Sequence, residues 1–211
     1  MPIPDPPLLV ITDRRQARRS LADVVTATLI AGCRWISLRE KDLPEDGQAR
    51  LAATLLPIAR QYGATLTLHG TAKLAELCRV DGVHLPAGSD PVAARKLLGP
   101  DKLLGLSIHT PDDLAAIDPQ WVDYAIAGPA FETASKPGYG PEIGRQGLAS
   151  IAAIAAVPVL AIGGINAIRA AEVLAAGPLG IAVMGAVMRA EDPGREVRGL
   201  LRVVGDARRD R

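Results

Sequence analysis

The chain has 211 residues, of which 48% are hydrophobic, so it can bury a full core and lies at the lower size limit for one α/β barrel. Its formal net charge of +1 gives no excess positive field for a polyanion, and one Phe, two Trp and three Tyr offer few surfaces on which bases could stack. Length, composition and charge therefore argue against a nucleic-acid partner.

The amino-terminal stretch MPIPDPPLLVITDRR lacks the basic segment and long apolar core of a secretion signal, and no apolar run approaches 18 residues. We therefore expect a cytoplasmic protein without a membrane partner. Cys33 and Cys78 lie in apolar surroundings without C-x-x-C spacing, and we interpret both as reduced packing residues.

Eight short apolar runs recur along the chain and have the length of buried strands: 8–12, 35–39, 65–69, 82–85, 103–108, 124–128, 158–163 and 180–185. Between them lie stretches rich in Ala, Leu and Arg with one apolar face, such as 20–32, 45–62, 90–98 and 166–176. This alternation predicts parallel strands, and eight units favour an α/β fold of the (β/α)8 TIM-barrel type over an open sheet. We expect one barrel domain over residues 1–211, with about 205–211 as a flexible tail.

In such a barrel, functional side chains lie in the loops that follow the strands. The loop after the second strand reads LREKD, in which Arg39 can form a bidentate contact with a phosphate or carboxylate and Lys41 adds a point charge. A solvated turn is the alternative interpretation of this loop.

All three histidines of the chain fall near the predicted carboxyl ends of strands 3, 4 and 5, as His69, His84 and His109. Imidazoles suit reversible proton transfer near neutral pH. A zinc site is disfavoured, because successive strand ends spread the ligands widely and no Cys or carboxylate accompanies them.

The loop after the sixth strand, AGPAFETASKPGYGPEIG at 127–144, is far longer than the roughly 2–6 residues usual for such connections. We interpret it as a flap over a ligand. The hydroxyls of Thr133 and Ser135 and the ammonium of Lys136 suit anionic oxygens. A solvated insertion is the alternative.

Glycines occur at the ends of strands 7 and 8, in AIGGI and AVMGAV. A barrel of this type commonly binds phosphate at these two positions through backbone N–H groups. A Cβ atom there would keep the phosphate away from the amides. The sequence therefore predicts a phosphate site formed by Gly163, Gly164, Ile165, Met184, Gly185 and Ala186.

Taken together, ITDRR, SLREKD, DGVHLP, GLSIHT, GPAFETASKPG, AIGGI and GIAVMGAV resemble the thiamine phosphate synthase and TenI-like superfamily over nearly the whole chain. The resemblance implies a (β/α)8 barrel that binds a thiazole phosphate or thiamine phosphate. We assign Ser107 of GLSIHT to the substrate contacts on this basis.

In the synthase branch, the resemblance implies that Mg²⁺ assists the joining of a pyrimidine diphosphate to thiazole phosphate, with two aspartates as metal ligands. The matching positions here are Gly70 and Ser89, although Asp90 is one residue away from the second. Ser37 also stands where a glutamine contacts the pyrimidine in that branch. These departures favour the TenI-like branch, which includes thiazole tautomerases and needs neither metal nor other cofactor.

A tautomerase moves a proton and therefore needs an acid/base group. In the characterised TenI-like type, this group is a histidine just before the Phe-Glu-Thr segment, where the present chain has Pro129. We therefore expect His69 to be a displaced base, with Glu132 as the next candidate. Two alternatives stay open: a synthase that recruits Asp90 and water for Mg²⁺, and a non-catalytic or regulatory protein that binds a phosphate ligand. We also consider a homodimer.

Overall fold

A computed structural model describes residues 2–133 and 140–209 of the chain. Its strands are β1 (Leu8–Ile11), β2 (Trp35–Leu38), β3 (Thr65–His69), β4 (Gly82–Leu85), β5 (Leu103–Ile108), β6 (Tyr124–Ala127), β7 (Val159–Ile162) and β8 (Gly180–Val183). Each strand pairs in parallel with the next, and β8 pairs in parallel with β1, so the barrel is closed. The prediction of a (β/α)8 TIM barrel is confirmed.

The helices within the described residues are α1 (Leu21–Ile30), α2 (Glu45–Gln61), α3 (Ala72–Leu77), α4 (Pro91–Leu98), α5 (Pro111–Ala115), α6 (Gly144–Ile154), α7 (Ala167–Ala175), α8 (Gly185–Met188) and α9 (Pro193–Arg209). Several begin at a side-chain cap. The hydroxyls of Ser20 and Thr71 each accept a hydrogen bond, at 3.2 Å, from an amide in the first turn of α1 and α3. These caps fix where the loops after β1 and β3 end.

The carboxyl-terminal segment differs from the sequence-based expectation. Residues 205–209 were expected to form a flexible tail, but they are the last turns of α9. Val204 is buried and Ala207 packs against the hydrophobic core, so this helix presents an apolar face to the barrel. The charged residues of GDARRDR conceal that apolar face in the sequence, and the flexibility expected of this segment stays a prediction.

The barrel interior is apolar at its base and polar towards the carboxyl ends of the strands. At the base, the rings of Trp35 and Tyr124 meet edge to face with their centroids 4.7 Å apart. Gly105 leaves the space that the tyrosine ring fills, since a Cβ atom at this position would lie 2.1 Å from Tyr124 Cζ. Above this layer, the side chains of Thr67 and His84 are buried polar groups. The wide end of the interior is therefore suited to a polar ligand.

The remaining general features can be stated briefly. Cys33 and Cys78 are both buried and free, and burial raises the pKa of Cys33 to about 11. None of the described helices combines the length and apolar character needed to cross a membrane.

Candidate active site

The carboxyl ends of the strands enclose a cavity of about 420 Å³. The candidate residues from the sequence that line it are Arg39, His69, Ser107, Glu132, Thr133, Gly163, Gly164, Ile165, Met184, Gly185 and Ala186. Lys41 follows the same strand as Arg39 but does not line the cavity. Ser135 and Lys136 lie outside the described residues. The barrel therefore gathers residues from loops that are far apart in sequence into one site.

At the ends of β7 and β8, residues 163–165 and 184–186 form a surface that we call the glycine cradle. Gly163 and Gly164 have φ values of +113° and +63°, which a residue with a Cβ rarely adopts. A Cβ atom at Gly164 would also lie 2.5 Å from the carbonyl oxygen of Glu132. The adjoining loop is hydrogen-bonded to this strand end, since the amide of Phe131 donates to the carbonyl oxygen of Gly163 at 3.2 Å. Only glycine allows this close approach of two backbones.

The second half of the glycine cradle is the start of α8. Gly185 and Ala186 are the first two residues of this helix, so their N–H groups have no acceptor within the helix. Both residues line the cavity together with the residues of the β7 turn. Their position is suited to the oxygens of a phosphate group.

Two arginines beside the glycine cradle were missed by the sequence analysis. Arg169 lines the cavity, donates to the carbonyl oxygen of Gly164 at 3.2 Å, and lies 4.8 Å above the ring centroid of Phe131. Arg189 also lines the cavity and hydrogen-bonds Gln16. Each follows a cradle glycine by about one helical turn, and this spacing was the available signal.

Arg39 and Lys41, which we call the cation pair, follow β2. The amide of Arg39 donates to Thr12 Oγ1 at 2.9 Å and anchors this loop to the end of β1. Burial, followed by the nearby Arg39 charge, lowers the pKa of Lys41. Within residues 2–133 and 140–209, neither side chain of the cation pair forms an ion pair with a carboxylate.

Glu40, which lies between Arg39 and Lys41 in the sequence, is a buried carboxylate that fixes the loop after β2. Glu40 is 1% exposed and accepts hydrogen bonds from the amide of Arg14 at 3.0 and 3.1 Å and from its guanidinium at 3.1 Å. The same guanidinium donates twice to Asp42 at 2.8 Å. Glu40 thus joins the β1 and β2 loops, a role that the sequence analysis did not identify.

The three histidines take different positions. His84 is 1% exposed, its Nε2 lies 2.8 Å from Ser107 Oγ, and its ring centroid is 5.1 Å from that of His69. Burial, assisted by the charge of Lys41, lowers the pKa of His84 to about 3, so the ring is neutral near pH 7. His109 Nδ1 donates to the carbonyl oxygen of Gly128 at 2.6 Å and helps to hold the loop after β6.

The positions that correspond to magnesium ligands in the resembling synthases do not fit a magnesium ion here. Gly70 has no side chain, and the Ser89 hydroxyl donates to the carbonyl oxygen of Pro86 at 2.8 Å. Asp90 Oδ1 caps α4 by accepting from two amides at 2.9 and 3.0 Å, and this residue does not line the cavity. Glu132 is the one carboxylate among the described lining residues, and no group of three or more His, Cys, Asp or Glu side chains in the described chain is arranged to bind a metal.

Several thiamine-phosphate synthases resemble the chain over almost its full length. A thiamine-phosphate synthase from Roseiflexus sp. (strain RS-1) is 40% identical over 214 residues, which cover 98% of this chain and 90% of the relative. A thiamine-phosphate synthase from Moorella thermoacetica is 37% identical, with 95% and 96% of the two chains covered.

These relatives correct the functional prediction made from sequence. Relatives of this similarity are named synthases, so the tautomerase prediction was wrong. The acid/base roles expected of His69 and Glu132 depended on that prediction and are withdrawn with it. Gly70 and Ser89 therefore do not mark a different branch, because these two altered loop positions coexist with 40% identity to a synthase over 98% of the chain.

The solved structures and the family model agree with these relatives. A thiamine phosphate pyrophosphorylase from Pyrococcus furiosus superposes with a TM-score of 0.84 at 32% identity, with 95% and 96% of the two chains covered. The family model described as thiamine monophosphate synthase matches residues 8–187, which include all eight strands. The chain therefore belongs to the thiamine monophosphate synthase family.

Proposed function

We propose that this chain is a thiamine phosphate synthase that joins an activated pyrimidine to thiazole phosphate. The observation that carries the proposal is a single cavity with two different polar sides. The glycine cradle lies at β7 and β8, and His69 and Ser107 lie across the closed ring on β3 and β5. One side suits a phosphate, and the other suits a polar heterocycle.

In this reaction, the thiazole nitrogen donates its lone pair to the methylene carbon of the pyrimidine. The bond from that carbon to the diphosphate oxygen breaks, and the diphosphate leaves with the electron pair. The glycine cradle, with Arg169 and Arg189 beside it, would hold the thiazole phosphate in line with this carbon. The cation pair, Arg39 and Lys41, would stabilise the negative charge that develops on the departing group.

The neutral ring of His84 would orient the hydroxyl of Ser107 towards the pyrimidine, because Ser107 lines the cavity and its Oγ is 2.8 Å from His84 Nε2. We propose His69 as a further contact on the same side. From the loop after β6, Glu132 and Thr133 line the cavity, and we propose both as substrate contacts. The roles proposed for Ser135 and Lys136 as ligands of anionic oxygens rest on the sequence alone.

Genetic complementation tests this function. In a bacterial strain that lacks its own thiamine-phosphate synthase, expression of this chain is expected to restore growth without added thiamine. The Arg39→Gln variant should fail to do so, whereas Arg50→Gln removes an exposed arginine from α2 and should restore growth. Failure of the well-expressed wild-type chain would favour the alternative, a homologue that binds a phosphate ligand without joining the two halves.

A further inference from the structure

We infer that this chain neutralises a diphosphate directly with Arg39 and Lys41, in place of a carboxylate-bound magnesium ion. The inference rests on the proposed synthase function and concerns how the charge of the leaving group is balanced. It begins from the two loop positions, Gly70 and Ser89, at which metal-binding carboxylates would be expected and are missing.

The charges around the cavity support direct binding. Its described lining includes three arginines, Arg39, Arg169 and Arg189, and a single carboxylate, Glu132. A phosphate site usually holds Mg²⁺ through one or two protein carboxylates together with the phosphate oxygens of the substrate. The described lining offers only Glu132 for this, and the positions Gly70 and Ser89 offer none. The excess of cations in this lining is suited to an anion that arrives without a metal.

The ion pairs of the neighbouring arginines show which cationic side chains are already neutralised by a carboxylate and which could bind an anion. Arg14 contacts the carboxylates of Glu40 and Asp42, and Arg15 lies 3.6 Å from Asp13. By contrast, the cation pair makes no such contact within the described ranges, 2–133 and 140–209. Two neighbouring cations repel each other, and a diphosphate placed between them would relieve that repulsion.

The loop that carries the cation pair is anchored before any ligand arrives. The backbone amide of Arg39 donates a hydrogen bond to the hydroxyl of Thr12. The carboxylate of Glu40, which lies between Arg39 and Lys41 in the sequence, accepts hydrogen bonds from the backbone amide and the guanidinium of Arg14. A fixed loop lowers the entropy that must be lost when an anion binds. The cation pair can therefore bind a diphosphate without a metal to organise it.

Pyrophosphate binding measured by calorimetry on the full chain tests this inference. In EDTA, the wild-type protein should bind inorganic pyrophosphate at least as tightly as in Mg²⁺, because the metal withdraws free pyrophosphate from a site that does not need it. Arg39→Gln should weaken binding at least tenfold under both conditions. Arg50→Gln, which removes an equal charge from an exposed surface of α2, should leave binding unchanged.

A second variant restores the missing carboxylate. Gly70 is not at a positive φ, and the nearest atom to an added Cβ is Leu68 Cδ2 at 3.0 Å, the end of a flexible side chain. Gly70→Asp should therefore fold, and thermal unfolding would verify this. Its pyrophosphate affinity should fall in EDTA and recover at least tenfold when Mg²⁺ is added.

Wild-type binding that is tenfold or more weaker in EDTA than in Mg²⁺ would overturn the inference, as would unchanged binding by Arg39→Gln. The proposed synthase function is judged separately, by product formation. If thiamine phosphate is formed only with Mg²⁺ and pyrophosphate binding also needs the metal, the function stands and the inference fails. If pyrophosphate binds in EDTA but no product forms, the inference stands and the proposed function fails.

Discussion

Replacing Gly164 with alanine tests the glycine cradle through the addition of a single carbon atom. The new Cβ would lie 2.5 Å from the carbonyl oxygen of Glu132 and 2.9 Å from Phe131 Cβ, so the loop after β6 or the turn itself must move. The φ value of +63° adds strain of about 1–2 kcal/mol for a residue with a Cβ. We expect the cradle amides to be displaced from the phosphate.

The expected loss of affinity follows from the interaction that is removed. A hydrogen bond to a charged group contributes about 1.5–3 kcal/mol. Losing one such bond from an amide to the phosphate should weaken thiazole phosphate binding by roughly 10- to 150-fold. Isothermal titration calorimetry with thiazole phosphate measures this directly, and thermal unfolding checks that the variant is folded.

Gly63 supplies a matched control for the backbone strain. Its φ value is +60°, and no atom lies within 4 Å of an added Cβ. Gly63→Ala should therefore carry similar strain without moving the loop after β6, and its affinity for thiazole phosphate should equal that of the wild type. Unchanged affinity in folded Gly164→Ala, or an equal loss in Gly63→Ala, would show that the cradle is not the phosphate site.

Three further variants test the interior and the polar side of the cavity. Gly105→Ala should lower the free energy of unfolding by about 1–3 kcal/mol, because its Cβ would overlap the ring of Tyr124. Gly205→Ala in α9 is the control and should not lower the free energy of unfolding, because no atom lies within 4 Å of its added Cβ. Denaturant titration compares the two variants. Ser107→Ala should reduce kcat/KM in a synthase assay by roughly 2- to 13-fold, the value of one neutral hydrogen bond, and an unchanged rate would exclude a substrate contact. Burial lowers the pKa of His84 from 6.5 to about 3 in the folded chain, so folding is least favourable when this imidazole is protonated. The free energy of unfolding should therefore be highest above pH 6.5 and should fall as the pH drops towards 3. His84→Gln should flatten this part of the pH profile, and an equally steep profile would contradict the assignment.

The strands were predictable because each one is a short apolar run bounded by turn residues, and a parallel barrel buries both faces of its strands. The glycines at β7 and β8 could be placed for the same reason, since they end two of those runs. Arg169 and Arg189 could not be placed in this way. They reach the cavity from α7 and from the turn after α8, and the sequence does not distinguish them from arginines on the exposed face of a helix.

Two other differences from the sequence-based expectations have physical causes. The end of α9 resembles a solvated tail because three arginines and two aspartates in GDARRDR hide the apolar stripe that ends at Ala207. The prediction of the TenI-like branch was wrong because it rested on two loop positions, Gly70 and Ser89. A pattern of missing metal ligands shows what a site cannot bind, but it does not reveal which other side chains supply the same charge.

Product formation by the purified chain tests the proposed synthase function most directly. The protein is incubated with the pyrimidine diphosphate and thiazole phosphate, in EDTA and in Mg²⁺, and thiamine phosphate is quantified by mass spectrometry. The proposed function predicts many turnovers per protein molecule, and the inferred metal-independent site predicts that they persist in EDTA. A folded protein that binds thiazole phosphate yet forms no thiamine phosphate under either condition would contradict the synthase function.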